Sequence, residues 1–302
     1  MSRRSACELR FRPGIVLWAA ILTLPLTLTV AAHAADDYPL GPDSQRQEGV
    51  PRGVSTQFSL VSQLFPGTTR DCWVYLPPGH DSQKPAAFMV FQDGQSYLKE
   101  DGQFRVPVVI DNLVHKGELP PLIGIFVNPG ALPPDVPGGK PRSNRSFEYD
   151  SLGDAYVRFL LEELLPQATR GLAISADPVQ RAIVGLSSGG ACAFNAAWER
   201  PDAFGKVVSH CGSFVNIRGA HQLASAVRRG PDRALKVFLQ TGEHDLDIVF
   251  GHWVQANRDL AAALAYRGIP HQLVIGRGGH SLRHGGAIFP DTLRWLWRES
   301  TP

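Results

Sequence analysis

The stretch Arg181-Ala-Ile-Val-Gly185-Leu-Ser187-Ser-Gly-Gly190-Ala-Cys-Ala-Phe-Asn-Ala-Ala197 decides the fold. A short apolar run ends in a cluster of small residues, and a helix-like stretch follows at once. Gly185-Leu-Ser187-Ser-Gly189 fits GxSxG, the pattern of a strand-to-helix turn so sharp that only small neighbours fit and a serine hydroxyl is lifted above the sheet. Alone the pentapeptide is a weak signal in a chain with 30 Gly among 302 residues. The strand before it and the helix after it give it meaning.

Working outward, Ala87 to Phe91, Leu122 to Val127, Arg181 to Gly185, Lys206 to Ser209, Leu235 to Leu239 and His271 to Ile275 are short apolar runs, several of them closed by Gly. Between them lie helix-like stretches at Val106 to Lys116, Asp150 to Leu165, Ala191 to Arg200, Ala220 to Arg228, His252 to Arg267 and Ala287 to Trp297. Val54 to Pro77 reads as an antiparallel beginning that stops at the turn Pro77-Pro78-Gly79. Buried strands alternating with amphipathic helices predict an α/β fold, with a mostly parallel central sheet, an antiparallel N-terminal part and helices on both faces. In such a sheet a ligand sits outside the carboxyl ends of the strands, so the loops after the strands carry the chemistry.

Ser187 is the candidate nucleophile. A serine hydroxyl attacks only when a base takes its proton and a third group fixes the base's tautomer. His280, in the loop Gly276-Arg-Gly-Gly-His280 after an apolar run, is the first choice of base, with His284 as its rival. The acid is expected between serine and histidine. Asp245 in Thr241-Gly-Glu-His-Asp245-Leu-Asp247 is preferred, Asp247 is the alternate and Glu243 comes third; each also suits a helix cap. The oxyanion of a tetrahedral intermediate needs N–H donors, expected from Ser188 and from Gly94 or Gln95 in the turn Asp93-Gly94-Gln95-Ser96. That turn also has a plain reading, a tight bend fixed by Asp93. The Pro- and Gly-rich stretch Asn128 to Arg145 is expected to wall the cleft, with Tyr149 or Arg145 touching substrate and Trp253 lining a pocket. Tyr149 and Trp253 are equally readable as packing residues.

Thirty Lys and Arg against 28 Asp and Glu leave too little positive charge for a nucleic-acid footprint. Residues 1–34 hold four arginines (Arg3, Arg4, Arg10, Arg12) against Glu8, then an apolar run from Gly14 to Ala32 and the small-x-small triplet Ala32-His33-Ala34. This is the anatomy of a cleaved signal peptide, with an uncleaved anchor as the competing reading. The expected organisation is a signal peptide at 1–34, a flexible segment at 35–52 and one domain at 53–299. The protein is then periplasmic or secreted, with no stable membrane association after cleavage. Cys72, Cys192 and Cys211 remain, so at most one internal disulfide forms, and Cys192 with Cys211 is the pair to consider. No Cys/His spacing fits zinc, and His280 with His284 lacks the glutamate of HExxH, so neither metal nor cofactor is expected.

The chain resembles the esterase branch of the α/β-hydrolases, which includes esterase D, enterochelin esterases and feruloyl or acetyl-xylan esterases. The resemblance is carried by Thr69-Arg-Asp-Cys-Trp-Val-Tyr-Leu-Pro77, Phe91-Gln-Asp-Gly94, Gly185-Leu-Ser-Ser-Gly-Gly190, Arg200-Pro-Asp-Ala-Phe204, Thr241-Gly-Glu-His-Asp245 and Gly278-Gly-His280, and extends from about Gly53 to Trp297. It implies an α/β-hydrolase fold, a small-molecule ester substrate, and family triad positions at Ser187, Asp245 and His280. The implied activity is that of an exported serine esterase on carbohydrate-, feruloyl- or catecholate-linked esters. An acyltransferase on the same three residues and a non-catalytic binding module on the same fold are the competing functions.

Overall fold

Along Ala87-Phe-Met-Val-Phe-Gln92 every residue is buried, because this strand lies between two helical layers. Phe88 and Val90 join one apolar cluster and Met89 and Phe91 the other, the alternation that a period of two imposes. The same division runs through the neighbouring strands: Ile123, Ile125, Ile183, Val207 and Val237 face one way, Phe126, Val184, Val208 and Phe238 the other. Burying each such side chain stabilises the fold by roughly 1.5–3 kcal/mol.

The computed structural model describes residues 38–298. The expected signal peptide lies outside the described residues. The strands are β1 (Val54–Val61), β2 (Thr69–Leu76), β3 (Ala87–Gln92), β4 (Leu122–Val127), β5 (Ala131–Leu132), β6 (Arg142–Ser143), β7 (Arg181–Leu186), β8 (Lys206–His210), β9 (Lys236–Gly242), β10 (Asp247–Ile248), β11 (Gly251–His252) and β12 (His271–Gly276). The α-helices are α1 (Gly94–Leu98), α2 (Val106–His115), α3 (Arg145–Asp150), α4 (Ala155–Phe159), α5 (Leu165–Ala168), α6 (Ser188–Glu199), α7 (Leu223–Arg229), α8 (Trp253–Tyr266), α9 (Leu282–Ala287) and α10 (Phe289–Trp297).

The main sheet runs β12-β9-β8-β7-β3-β4-β2-β5-β6, with β1 paired to β2. From β12 to β4 all pairs are parallel, while β1–β2, β2–β4, β2–β5 and β5–β6 are antiparallel. Helices cover both faces, as the strand pattern predicts. No helix among the described residues is long and apolar enough to cross a membrane.

Two expectations change. The stretch read as one helix from Asp150 to Leu165 is instead the end of α3 and, after a gap, a continuous helical run over 155–168 in which α4 passes through a π-helical turn at 160–164 into α5. Gly153 adopts φ +99°, which stops α3 from continuing into α4, and Pro166 inside α5 brings no N–H to the helical ladder. The segment expected to be flexible, 35–52, is tied down where it is described. Lys116 and Arg294 pair with Asp43, Arg46 pairs with Asp111, and Asn112 Nδ2 donates to the carbonyls of Asp43 and Gln45 at 2.9 and 2.8 Å.

Candidate active site

Three non-glycine residues with positive φ stand just after three adjacent strands: Asp93 (φ 54°) after β3, Ser187 (φ 54°) after β7 and Cys211 (φ 48°) after β8. Backbone strain of this kind persists only where the surroundings over-determine it, and it clusters at functional sites. Ser187 has ψ −123°, outside the regions that L-residues favour. The turn is possible because Gly185 and Gly189 touch; a Cβ on Gly185 would lie 2.0 Å from the Gly189 carbonyl oxygen. The Ser187 N–H donates to His210 O at 2.8 Å, and α6 begins at the next residue.

Two later loops bring polar side chains to the same rim. The loop after β9 is zipped to the loop after β12, Glu243 N–H donating to Gly276 O at 2.7 Å and His244 N–H to Gly278 O at 3.1 Å. This pairing carries Asp245 to His280. The gap from His280 Nδ1 to Asp245 Oδ1 is 2.5 Å, and that from His280 Nε2 to Ser187 Oγ is 3.0 Å. Thr241 Oγ1 donates to Asp245 Oδ2 at 2.6 Å and Leu246 N–H donates to Oδ1 at 2.7 Å. Burial alone would raise the Asp245 pKa. The donors from His280 and Thr241 outweigh it and hold the carboxyl below its ordinary value.

The alternates stand elsewhere. Asp247 is exposed on β10, and Glu243 is also exposed. His284 is buried, with Nδ1 3.2 Å from Gln240 Nε2 and its ring stacked on Tyr38 at 4.5 Å between centroids.

Of the expected oxyanion donors, Ser188 opens α6, where N–H groups have no partner within the helix. The Gln95 N–H is engaged by Asn128 Oδ1 at 3.1 Å, which leaves Gly94 as the residue of its turn to consider. Gly94 must be glycine, since a Cβ there would sit 2.5 Å from Val127 N. Arg145 grips Asp93 through two 2.7 Å hydrogen bonds and donates to Leu186 O at 3.2 Å. Tyr149 is 2% exposed, and its hydroxyl accepts from the Asp93 N–H at 3.2 Å. Both side chains therefore brace the turn that carries Gly94, and Tyr149 packs inside rather than lining open space. Trp253 is also buried, its ring edge-on to His280 at 6.0 Å.

Sequence reasoning missed Ser213. Its hydroxyl is 3.2 Å from Ser187 Oγ and accepts from Trp253 Nε1 at 3.1 Å, while its N–H donates to Ser187 O at 3.0 Å. No motif marks Cys211-Gly-Ser213; only the apolar strand before it pointed to the sheet rim.

The three described cysteines are free and buried, so no Cys192–Cys211 bridge joins α6 to the strand end. Cys211 Sγ, an Asp245 oxygen and a His280 nitrogen lie within 4.8 Å of one another, close enough to consider a metal. The chemistry is unsuited to one. Burial and the Asp245 charge push the Cys211 thiol up to about 12, and the Asp245 oxygens are engaged by His280, Thr241 and Leu246.

The Esterase family model matches residues 64–296, well over half of the chain. The chain belongs to the Esterase family. This Esterase-family chain is 28% identical to an iron(III) enterobactin esterase of Dickeya dadantii (strain 3937) over 249 residues, covering 77% of the chain and 53% of that protein. It thus spans about half the length of that relative. It is 23% identical over 237 residues to the uncharacterised protein YbbA of Bacillus subtilis (strain 168), covering 74% of the chain and 91% of YbbA. Among solved structures, an enterobactin esterase from Shigella flexneri in the presence of enterobactin has a TM-score of 0.67 at 20% identity, covering 86% of the chain and 63% of that structure. A ferulic acid esterase has a TM-score of 0.64 at 20% identity, covering 82% and 99%. The fold is that of the α/β-hydrolases.

Proposed function

We propose that the protein is an exported serine esterase that cleaves carboxylic esters through an acyl-enzyme on Ser187. The observation that carries the reading is the unbroken line from Ser187 Oγ to His280 Nε2 at 3.0 Å and from His280 Nδ1 to Asp245 at 2.5 Å. In this reading Asp245 accepts from the Nδ1 proton, so Nε2 is left bare and takes the Ser187 proton as Oγ attacks the ester carbonyl. The N–H groups of Ser188 and Gly94 receive the oxyanion. The imidazolium returns its proton to the departing alcohol, and water, deprotonated in turn by His280, releases the acid and restores Ser187.

The similarity to an enterobactin esterase and to a ferulic acid esterase supports siderophore-type serine esters and feruloyl esters as the first substrates to test. Export is supported by the arginine-rich start and apolar run of residues 3–32. The test is a panel of p-nitrophenyl, feruloyl, catecholate and acetylated-sugar esters offered to the purified protein, with a fluorophosphonate probe in parallel. The reading expects turnover of at least one aryl ester and a probe adduct on the Ser187 peptide. A protein that turns over none of them and carries no adduct would overturn it.

A further inference from the structure

Ser187 Oγ has two neighbours, His280 Nε2 at 3.0 Å and Ser213 Oγ at 3.2 Å. Which way the second hydrogen bond runs follows by elimination. Trp253 Nε1 is a donor only, so its 3.1 Å bond occupies an acceptor site of Ser213 and leaves that hydroxyl proton free. His280, with its proton on Nδ1 toward Asp245, offers a bare Nε2 that takes the one proton of Ser187. Ser187 then has only lone pairs to turn toward Ser213. Ser213 is 1% exposed and Trp253 2% exposed, so the arrangement is fixed and sheltered from water.

We infer that Ser213, held by Trp253, donates its hydroxyl proton to Ser187 Oγ throughout turnover and speeds the release of that oxygen from the acyl-enzyme. The inference rests on the esterase reading above. In deacylation, water attacks the acyl carbon as His280 takes its proton. The C–Oγ bond then breaks, its electron pair passes to Oγ, and Oγ takes the proton from His280 Nε2 while the acid departs. Ser213 keeps its own proton. A hydrogen bond lowers a barrier only by as much as it strengthens on the way to the transition state. The acyl-enzyme's ester oxygen is a poor acceptor, whereas Oγ gains negative charge as the bond breaks, and bonds to charged oxygens are the stronger ones. In acylation the starting hydroxyl is already a good acceptor, so the gain there is small. Ser213 therefore acts mainly on the second half of the cycle.

The experiment is stopped-flow turnover of p-nitrophenyl acetate by the full chain and by Ser213→Ala, Ser213→Thr and Trp253→Phe, with acylation read from the burst and deacylation from the steady rate. Ser213→Ala is expected to slow deacylation by about 10- to 100-fold, the usual weight of a hydrogen bond to a charged oxygen, while acylation changes by less than about threefold. Ser213→Thr keeps the hydroxyl and restores deacylation. Trp253→Phe keeps a ring but drops the anchoring donor, giving a smaller loss in the same step. Equal slowing of both steps, or no change in either, would overturn the inference, and the Trp253 variant decides the matter if Ser213→Ala fails to fold. A parent chain with neither burst nor probe adduct would instead overturn the esterase reading, and this inference with it.

Discussion

His280 Nδ1 and Asp245 Oδ1 are 2.5 Å apart, joined across two loops that their own backbones zip together. In the proposed mechanism the carboxylate fixes which ring nitrogen is bare. Asp245→Asn removes the charge that orients the ring and stabilises the imidazolium formed as Ser187 gives up its proton. We expect kcat for an aryl ester to fall about 10⁴-fold, with the melting temperature little moved. Asp247→Asn, an exposed position on β10, should leave kcat within a factor of a few. Loss of activity in the Asp247 variant with retention in the Asp245 variant would reassign the acid.

Arg70 and Glu148 form an ion pair with both side chains fully buried, and Glu148 also accepts from Gly130 N–H and Asn144 Nδ2. The pair thereby anchors both ends of the Pro- and Gly-rich stretch before α3. Arg70→Met strands a buried carboxylate and is expected to cost about 3–5 kcal/mol of stability by urea unfolding. The double variant Arg70→Met/Glu148→Leu should recover a large part of that loss. A single variant as stable as the parent would remove the pair from the account.

The centre of the sheet was legible because its strands are buried on both faces and stop at glycines or polar loops. The runs read at Leu122 to Val127 and His271 to Ile275 match β4 and β12 to within a residue. Ser187 was legible from a local pattern, since the close approach of Gly185 to Gly189 is written in five consecutive residues. Asp245 and His280 needed only chain order and strand ends. Three things were not legible. Ser213 meets Ser187 through space, with no spacing rule to announce it. The contacts of Asp43 with Lys116 and Arg294 join residues 73 and 251 positions apart, so 35–52 read as a flexible segment. Tyr149 stood evenly between the cleft and the packed interior, because a hydroxyl on a ring gives no clue, in sequence, to whether it faces water or the Asp93 N–H.

Burial, reinforced by the neighbouring His284, pushes the His210 pKa down to about 3. In the unfolded chain the same group titrates near 6.5. Between those values the unfolded state holds a proton that the folded state refuses, so stability present above pH 6.5 drains away as pH falls toward 3. His210→Asn removes that proton. Urea unfolding of both proteins from pH 7 to pH 4 is expected to show the parent losing about 1 kcal/mol more per pH unit than the variant below pH 6.5. Parallel pH profiles would contradict the assignment.

Gly94→Ala pushes a methyl group into the backbone at Val127 and displaces the turn that carries one proposed oxyanion donor. Overpacking of this kind costs roughly 1–3 kcal/mol. Loss of the donor is expected to lower kcat by about 10²–10³-fold. Kinetics at a temperature where circular dichroism finds the variant folded separates the two effects, and an unchanged kcat would remove Gly94 from the oxyanion site.

The most direct measurement is kcat for a p-nitrophenyl ester in purified Ser187→Ala, with folding verified by circular dichroism. The account predicts a fall of about 10⁴- to 10⁶-fold against the parent. A folded Ser187→Ala protein that hydrolyses the ester at the parental rate would contradict it.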